Sequence, residues 1–336
     1  MKITVVGLGA VGGLIAAKLA LAGHEVSALT RGRTLQAVRE RGLVLRMGGQ
    51  EQRAALHASD DAATLGPQDV VLIALKAQAL PEAAATLKPL IGADTLIVPA
   101  MNGVPWWFLQ TPALRERFTP EQQQLDSVDP GGRLGRALPV SQMLGCVVHL
   151  TCSQPEPGVV LHGFGDRLIF GESQGGTSDR AARIVACFSS AGFNAELSPD
   201  IRREIWFKLW GNMTMNPVSA LTGATADRIL DDTLVRNFML RAMAEATAIG
   251  AQIGCPIDQS GEERLQLARH LGAFKTSMLQ DSEADRPLEL DAIVTAAHEI
   301  GAKLGMETPN IDAVLGLARL MAQTRGLYPQ SQPSPA

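Results

Sequence analysis

Charge of one sign, clustered metal ligands and long apolar runs are all scarce in this chain of 336 residues. Its 30 Lys and Arg are matched by 34 Asp and Glu, the formal net charge is −4, and no long basic run appears. Nucleic acid and anionic membrane are thereby excluded as main partners, because both are gripped by concentrated positive charge. The four cysteines, Cys146, Cys152, Cys187 and Cys255, are scattered, with no C-x-x-C pair and no histidine at ligand spacing. This argues against a zinc site and for reduced thiols in a cytoplasmic compartment. The six histidines are equally dispersed, so no metal is expected. No stretch has the roughly 18 uncharged apolar residues of a membrane span. The apolar run after Met1-Lys2 has the look of a leader peptide, but Lys18 interrupts it and Gly7, Gly9, Gly12 and Gly13 are spaced as a turn.

What is present is an ordinary globular composition, 46% hydrophobic and 19% charged, on a chain long enough for two cores. Ile3-Thr4-Val5-Val6 reads as a buried strand, followed at once by Gly7-Leu8-Gly9-Ala10-Val11-Gly12 and a helix over 10–22. The first glycine permits a tight turn, the second lets backbone approach a pyrophosphate, and the third lets helix pack on strand. A lone GxGxxG is weak evidence. Here it lies between a strand and a helix, where the mechanism needs it, and predicts a dinucleotide site.

The next strand, 25–29, ends at Thr30-Arg31. A carboxylate there would hold a ribose 2′-hydroxyl, whereas arginine suits a 2′-phosphate, so NADPH is preferred over NADH. Two further strands, 69–75 and 95–100, end at Lys76 and at Met101-Asn102-Gly103. Ligands bind outside the carboxyl edge of such a sheet, which makes Lys76 and Asn102 candidate site residues. Residues 111–143, rich in Pro, Gly, Gln and Arg, read as a surface excursion. Short strands over 144–171 are expected to complete the sheet in antiparallel fashion, before a helix over 177–191 and a strand over 193–197.

From Pro199 onward helical periods dominate, with helices expected over 200–216, 233–253, 258–272, 287–304 and 309–324. Lys208, Asn212 and Asn216 follow one another at four-residue steps and so share one helix face. A lysine among Trp206, Phe207 and Trp210 is a candidate proton donor with a lowered pKa, and asparagine amides both donate and accept. The plainer alternative is a solvated stripe with Glu204 and Lys208 as an i,i+4 ion pair. Ser277-x-x-Gln280 has the pattern of a capping box, and Glu289 opens an apolar helix where the macrodipole favours a carboxylate.

These residues together resemble the ketopantoate reductase (2-dehydropantoate 2-reductase) family over nearly the whole chain. The matching pieces are the glycine turn, Leu75-Lys76-Ala77, Asn102-Gly103, Ile205-Trp206-Phe207-Lys208-Leu209, Asn212, Asn216-Pro217, Ser277-Met278-Leu279-Gln280-Asp281 and Glu289-Leu290-Asp291. The resemblance implies an α/β N-terminal Rossmann-type doubly wound domain over 1–199. An all-α C-terminal domain of 6-phosphogluconate-dehydrogenase-like architecture would span 200–327; the tail 328–336, made almost wholly of Pro, Gln and Ser after Tyr328, is expected from its composition to be disordered. The resemblance implies NADPH-dependent reduction of 2-dehydropantoate to (R)-pantoate, a step of pantothenate and coenzyme A biosynthesis.

In that scheme Lys208 is the catalytic acid and Glu289 organises the cofactor and active-site network. Asn102, Asn212, Asn216 and Ser277 hold the substrate, with Asn102 also touching the cofactor. Gly7 to Gly12, Arg31 and Lys76 bind the cofactor, and a homodimer is the candidate assembly. Two departures stand out: Ala226 and Phe274 occupy positions where family members can carry asparagine. They leave open a sibling reductase of another 2-keto or 3-keto acid. A non-catalytic NADPH sensor is the remaining alternative, and it would not need the lysine.

Overall fold

The structure, a computed structural model, describes residues 1–330. Strands β1 (Lys2–Val6), β2 (Glu25–Leu29), β5 (His57–Ser59), β6 (Gln68–Ile73) and β7 (Ile91–Pro99) form one sheet in the order β5-β2-β1-β6-β7. Every pairing in it is parallel. The central strands β1 and β6 are buried almost throughout, as a sheet covered on both faces requires. Helix α1 (Ala10–Leu21) follows the glycine turn, and α2 (Gly32–Arg41) follows Arg31, which stands at its N-cap.

A second sheet joins β3 (Leu43–Met47), β4 (Gln50–Ala54), β8 (Leu144–Glu156), β9 (Val159–Glu172) and β10 (Asn194–Leu197). Here the structure corrects the expectation for 144–171. Two long strands form a hairpin, and it pairs with β3 rather than completing the first sheet. The correction follows from α1, which is apolar on every side and therefore needs cover on every side. The second sheet supplies it, so closely that a Cβ on Gly13 would lie 2.6 Å from Val160 Cγ2. Helix α5 (Asp179–Ser190), capped by the Ser178 side chain, packs against β9 and β10.

Residues 111–143 are likewise not a surface excursion. Leu114, Phe118, Leu125, Val128, Leu134 and Leu138 are buried in the larger core, alongside Trp106, Trp107 and Phe108. The segment folds as irregular turns that include the short helix α4 (Arg133–Ala137), as α3 (Leu80–Ala83) does earlier. Its prolines and glycines set turn geometry, while apolar residues at irregular spacing carry it inward, and irregular spacing gives no periodic signal.

After β10 the chain is helical: α6 (Ile201–Thr222), α7 (Ala226–Asp231), α8 (Thr233–Gln252), α9 (Gly261–Arg269), α10 (Ser277–Glu283), α11 (Ala296–Lys303) and α12 (Pro309–Thr324). Helix α6 runs past Pro217, six residues beyond the expected end, and stops at left-handed Gly223. Proline removes one helical hydrogen bond, but Met213 to Ala220 is buried without a break, and packing by α10 and α12 holds the continuation. The cap of α10 is Thr276 rather than Ser277, accepting from Leu279 N at 3.2 Å. The capping box proper is Ser260 with Glu263 at the head of α9. The helix expected over 287–304 begins with a π-turn at Asp291–Thr295.

Of the tail expected to be disordered, 331–336 lies outside the described residues. Tyr328, by contrast, donates to Asp291 Oδ1 at 2.5 Å. Among the described residues no helix is long and apolar enough to cross a membrane.

Candidate active site

The glycine turn joins β1 to α1. A Cβ on Gly12 would lie 2.0 Å from Gly7 O and 2.8 Å from Ala74 Cβ, so only glycine lets the turn, the helix and β6 come together. A Cβ on Gly9, in contrast, meets nothing within 4 Å. The α1 N-terminus has no side-chain cap and no acidic residue in its first turn. Open space before uncapped N–H groups suits a pyrophosphate, so the turn from Gly7 through Leu8, Ala10 and Val11 fits a dinucleotide. Arg31 is exposed at the end of β2, and its side chain makes no ion pair among the described residues.

At the next strand end, Lys76 forms an ion pair with Asp281 and lies 3.5 Å from Glu289 Oε2. The other Glu289 oxygen accepts from Ala77 N at 3.1 Å. Glu289 therefore clips the helical part of the chain to the turn after β6. Asp281 is half of this clip, yet sequence reasoning gives it no role; its place in the Ser277–Asp281 segment is the signal that could have found it.

Lys208 turns inward from α6 rather than pairing with Glu204. Its Nζ donates to Asn102 Oδ1 at 2.8 Å and to Val148 O at 2.6 Å. Burial pushes its pKa down to about 8, opposed by the Cys146 thiol and the Glu289 carboxylate. Trp206 and Trp210 do not cause that burial. They lie about 160° round the helix from Lys208 and donate to Ala246 O at 3.1 Å and Met243 O at 2.9 Å. The residues enclosing the lysine come from β8 and the turn after β7, and no local sequence pattern announces a strand carbonyl such as that of Val148. Next to it, His149 is pushed down to about 4 by burial and by the charges of Lys208, Arg167 and Arg264.

Gly103 fixes Asn102 in place. It has φ +85°, and a Cβ there would lie 2.3 Å from Ala292 O, to which Val104 N also donates at 2.8 Å. Farther along α6, Asn212 is half-buried and Asn216 buried, and neither carboxamide is bonded to protein among the described residues. Ser277 is exposed. Its neighbour Thr276 bonds Ser219, one turn beyond Asn216, which brings the head of α10 to that end of the same helix. Ala226 and Phe274 meet through Ala226 N and Phe274 O at 3.0 Å. The structure thus links Lys208, Asn102, Lys76, Glu289 and the glycine turn along one sheet edge, with the two asparagines continuing along α6. Arg31 contacts none of them.

Such an edge, with an amine of lowered pKa bonded to Asn102 at the end of a strand parallel to the one that enters the glycine turn, is suited to moving a proton beside a nicotinamide. Comparison with known proteins identifies the family. The family model "Ketopantoate reductase PanE/ApbA" matches residues 3–175, and "Ketopantoate reductase PanE/ApbA C terminal" matches 200–322. A 2-dehydropantoate 2-reductase of Mesorhizobium japonicum is 41% identical, across 98% of this chain and 100% of that protein. A crystal structure of a candidate ketopantoate reductase from Ralstonia solanacearum MolK2 is 57% identical, with TM-score 0.93 over 97% of this chain and 99% of that one. D-mandelate dehydrogenase with NADH and anilino(oxo)acetate, at 20% identity and TM-score 0.82 over 97% of this chain and 100% of its own, shares the fold. With both halves matched by paired family models and a full-length relative at this identity, the chain belongs to the ketopantoate reductase family.

Proposed function

We propose that the protein reduces 2-dehydropantoate to pantoate with NADPH, and that Lys208 protonates the ketone oxygen. Residues 1–199 carry the cofactor and 200–327 complete the substrate site. When bound, the reduced nicotinamide supplies hydride to the carbonyl carbon. The chain's own part is to hold the keto acid at the sheet edge and to deliver a proton as the oxygen becomes alkoxide. The observation that carries this reading is Lys208, an ammonium lowered to about pKa 8 and aimed by Asn102 at the edge where a dinucleotide turn ends. A donor titrating that close to neutrality transfers its proton with little cost, and positioned acids contribute about 10²–10⁴-fold. Asn212, Asn216 and Ser277 bind the substrate's polar groups, Glu289 and Lys76 order the cofactor edge, and Arg31 takes the 2′-phosphate.

The test is NADPH oxidation with ketopantoate by the wild-type protein and Lys208→Ala, at saturating substrate and cofactor. Turnover by the wild type and loss of most of kcat in the variant are expected. Normal turnover without the lysine would remove it from the chemistry. A second reading, a sibling reductase of another 2-keto or 3-keto acid, is favoured by one observation. The two positions open to asparagine in the family hold apolar Ala226 and Phe274, in backbone contact with each other. A panel of branched and straight keto acids, ranked by kcat/KM, separates the two.

A further inference from the structure

Arg264 is a half-buried arginine of the helical region that packs against α6 without a counter-ion among the described residues. Arg203, Arg269, Arg286 and Arg325 each pair with a carboxylate, whereas the Arg264 side chain, like that of Arg236, has no carboxylate or carbonyl partner among the described residues. Of these two, Arg264 is the one that packs on α6 beside Lys208. It is nevertheless half-buried, and burial alone lowers its pKa, with no acidic neighbour opposing the shift. A guanidinium drawn out of water without an anion is costly unless an anion arrives.

Its position is built. Its guanidinium carbon lies 5.2 Å from the centroid of the Phe207 ring, which orients the plane. Gly211 makes room for it: a Cβ there would lie 3.2 Å from Arg264 Nε and 3.3 Å from Nη2. Phe207 and Gly211 flank Lys208 on α6, and residues three apart on a helix have Cβ atoms about 5–6 Å from each other. From the other side, the charge of Arg264 reaches His149, the neighbour of the Val148 carbonyl that holds Lys208. Helix and strand thus both place this fork beside the proton donor.

We infer that Arg264 binds the carboxylate of the keto-acid substrate and sets specificity for acids over their uncharged derivatives. The inference rests on the reductase reading and assigns within it a contact that the apolar Ala226 and Phe274 do not provide. A guanidinium meets a carboxylate through two parallel hydrogen bonds, and this fixes the direction in which the adjacent carbonyl points. An acid held in this way directs its ketone oxygen along α6 towards Lys208.

Two measurements on the NADPH-bound protein test this, comparing wild type with Arg264→Gln and Arg264→Lys. The first is calorimetric binding of oxamate, an unreactive 2-oxo carboxylate. The second is the kcat/KM ratio of ketopantoate to ketopantoyl lactone, which has the same ketone but no free carboxylate. In Arg264→Gln, oxamate affinity and the acid-to-lactone ratio should each fall about 10- to 100-fold. Lactone turnover and NADPH affinity should stay near wild type, and Arg264→Lys should recover part of the loss. Unchanged oxamate affinity, or equal losses for acid and lactone, would overturn the inference. If the wild type turns over neither ketopantoate nor its lactone, the substrate reading fails, and oxamate binding still decides Arg264.

Discussion

Lys208 Nζ donates to Asn102 Oδ1 across 2.8 Å, which ties the centre of α6 to the turn that follows β7. The two residues are 106 positions apart in the chain. The bond leaves the ammonium with one direction set by an amide, one by the Val148 carbonyl at 2.6 Å, and one donor position over. Asparagine suits this role because it orients the ammonium without adding the negative charge that would raise its pKa.

A pH profile is the first consequence. If Lys208 is the proton donor proposed above, reduction needs it protonated, so kcat should be level below pH 8 and fall as Lys208 titrates at about 8. Oxidation of pantoate needs the neutral amine and should rise through the same region. Asn102→Asp places a carboxylate beside the ammonium, and an opposite charge at that range raises a pKa by about 1–3 units. The falling limb should move alkaline by that amount; a limb that stays near 8 in the variant would assign it to another group.

Arg31 gives a cofactor prediction. It is exposed at the N-cap of α2, where it has no protein partner to lose among the described residues. Replacement by alanine should therefore leave the folded stability within about 0.5 kcal/mol. It should lower kcat/KM with NADPH by about 10-fold or more while that with NADH changes little. An unchanged NADPH-to-NADH ratio takes Arg31 out of the 2′-phosphate site.

His149 predicts acid sensitivity. Its folded pKa, about 4, lies below its ordinary value of 6.5, so the unfolded chain binds the proton more readily between those values. Its effect on stability is absent above pH 6.5 and becomes a loss as pH falls towards 4. His149→Asn should flatten that part of the stability curve by on the order of 1–3 kcal/mol at pH 4. Urea midpoints of both proteins at pH 7 and pH 4 measure it.

The parts of this architecture legible in the sequence are those where chemistry is local. The glycine turn, the strand ends at Lys76 and Asn102, and the four-residue steps from Lys208 to Asn216 each follow from short spacing rules. Contacts made by distant segments are not legible. Asp281 meets Lys76 over 205 positions, and Val148 holds Lys208 through a carbonyl that every residue possesses. The tryptophans mislead for a related reason: neighbours of Lys208 in sequence point to the far side of α6. Residues 111–143 and the hairpin of β8 and β9 escape a sequence reading because burial there is imposed by α1 and the larger core rather than by any period of their own.

Gly103 ties the turn that carries Asn102 to the π-turn at Ala292, and so offers a test of the proposed proton donor. Its φ of +85° and the mere 2.3 Å that would separate a Cβ from Ala292 O leave no room for alanine. Substitution there strains the backbone by about 1–3 kcal/mol and pushes the turn away from the start of the α11 region. The hydrogen bond from Val104 N to Ala292 O, 2.8 Å long, stretches with it. Asn102 moves with the turn and no longer aims Lys208. Gly103→Ala should thus lose thermal stability and, at temperatures where it remains folded, lose kcat more than it raises KM. The glycine turn lies elsewhere, so NADPH affinity should fall far less than kcat. A variant whose kcat survives intact would show that Lys208 does not need Asn102 to find the ketone oxygen.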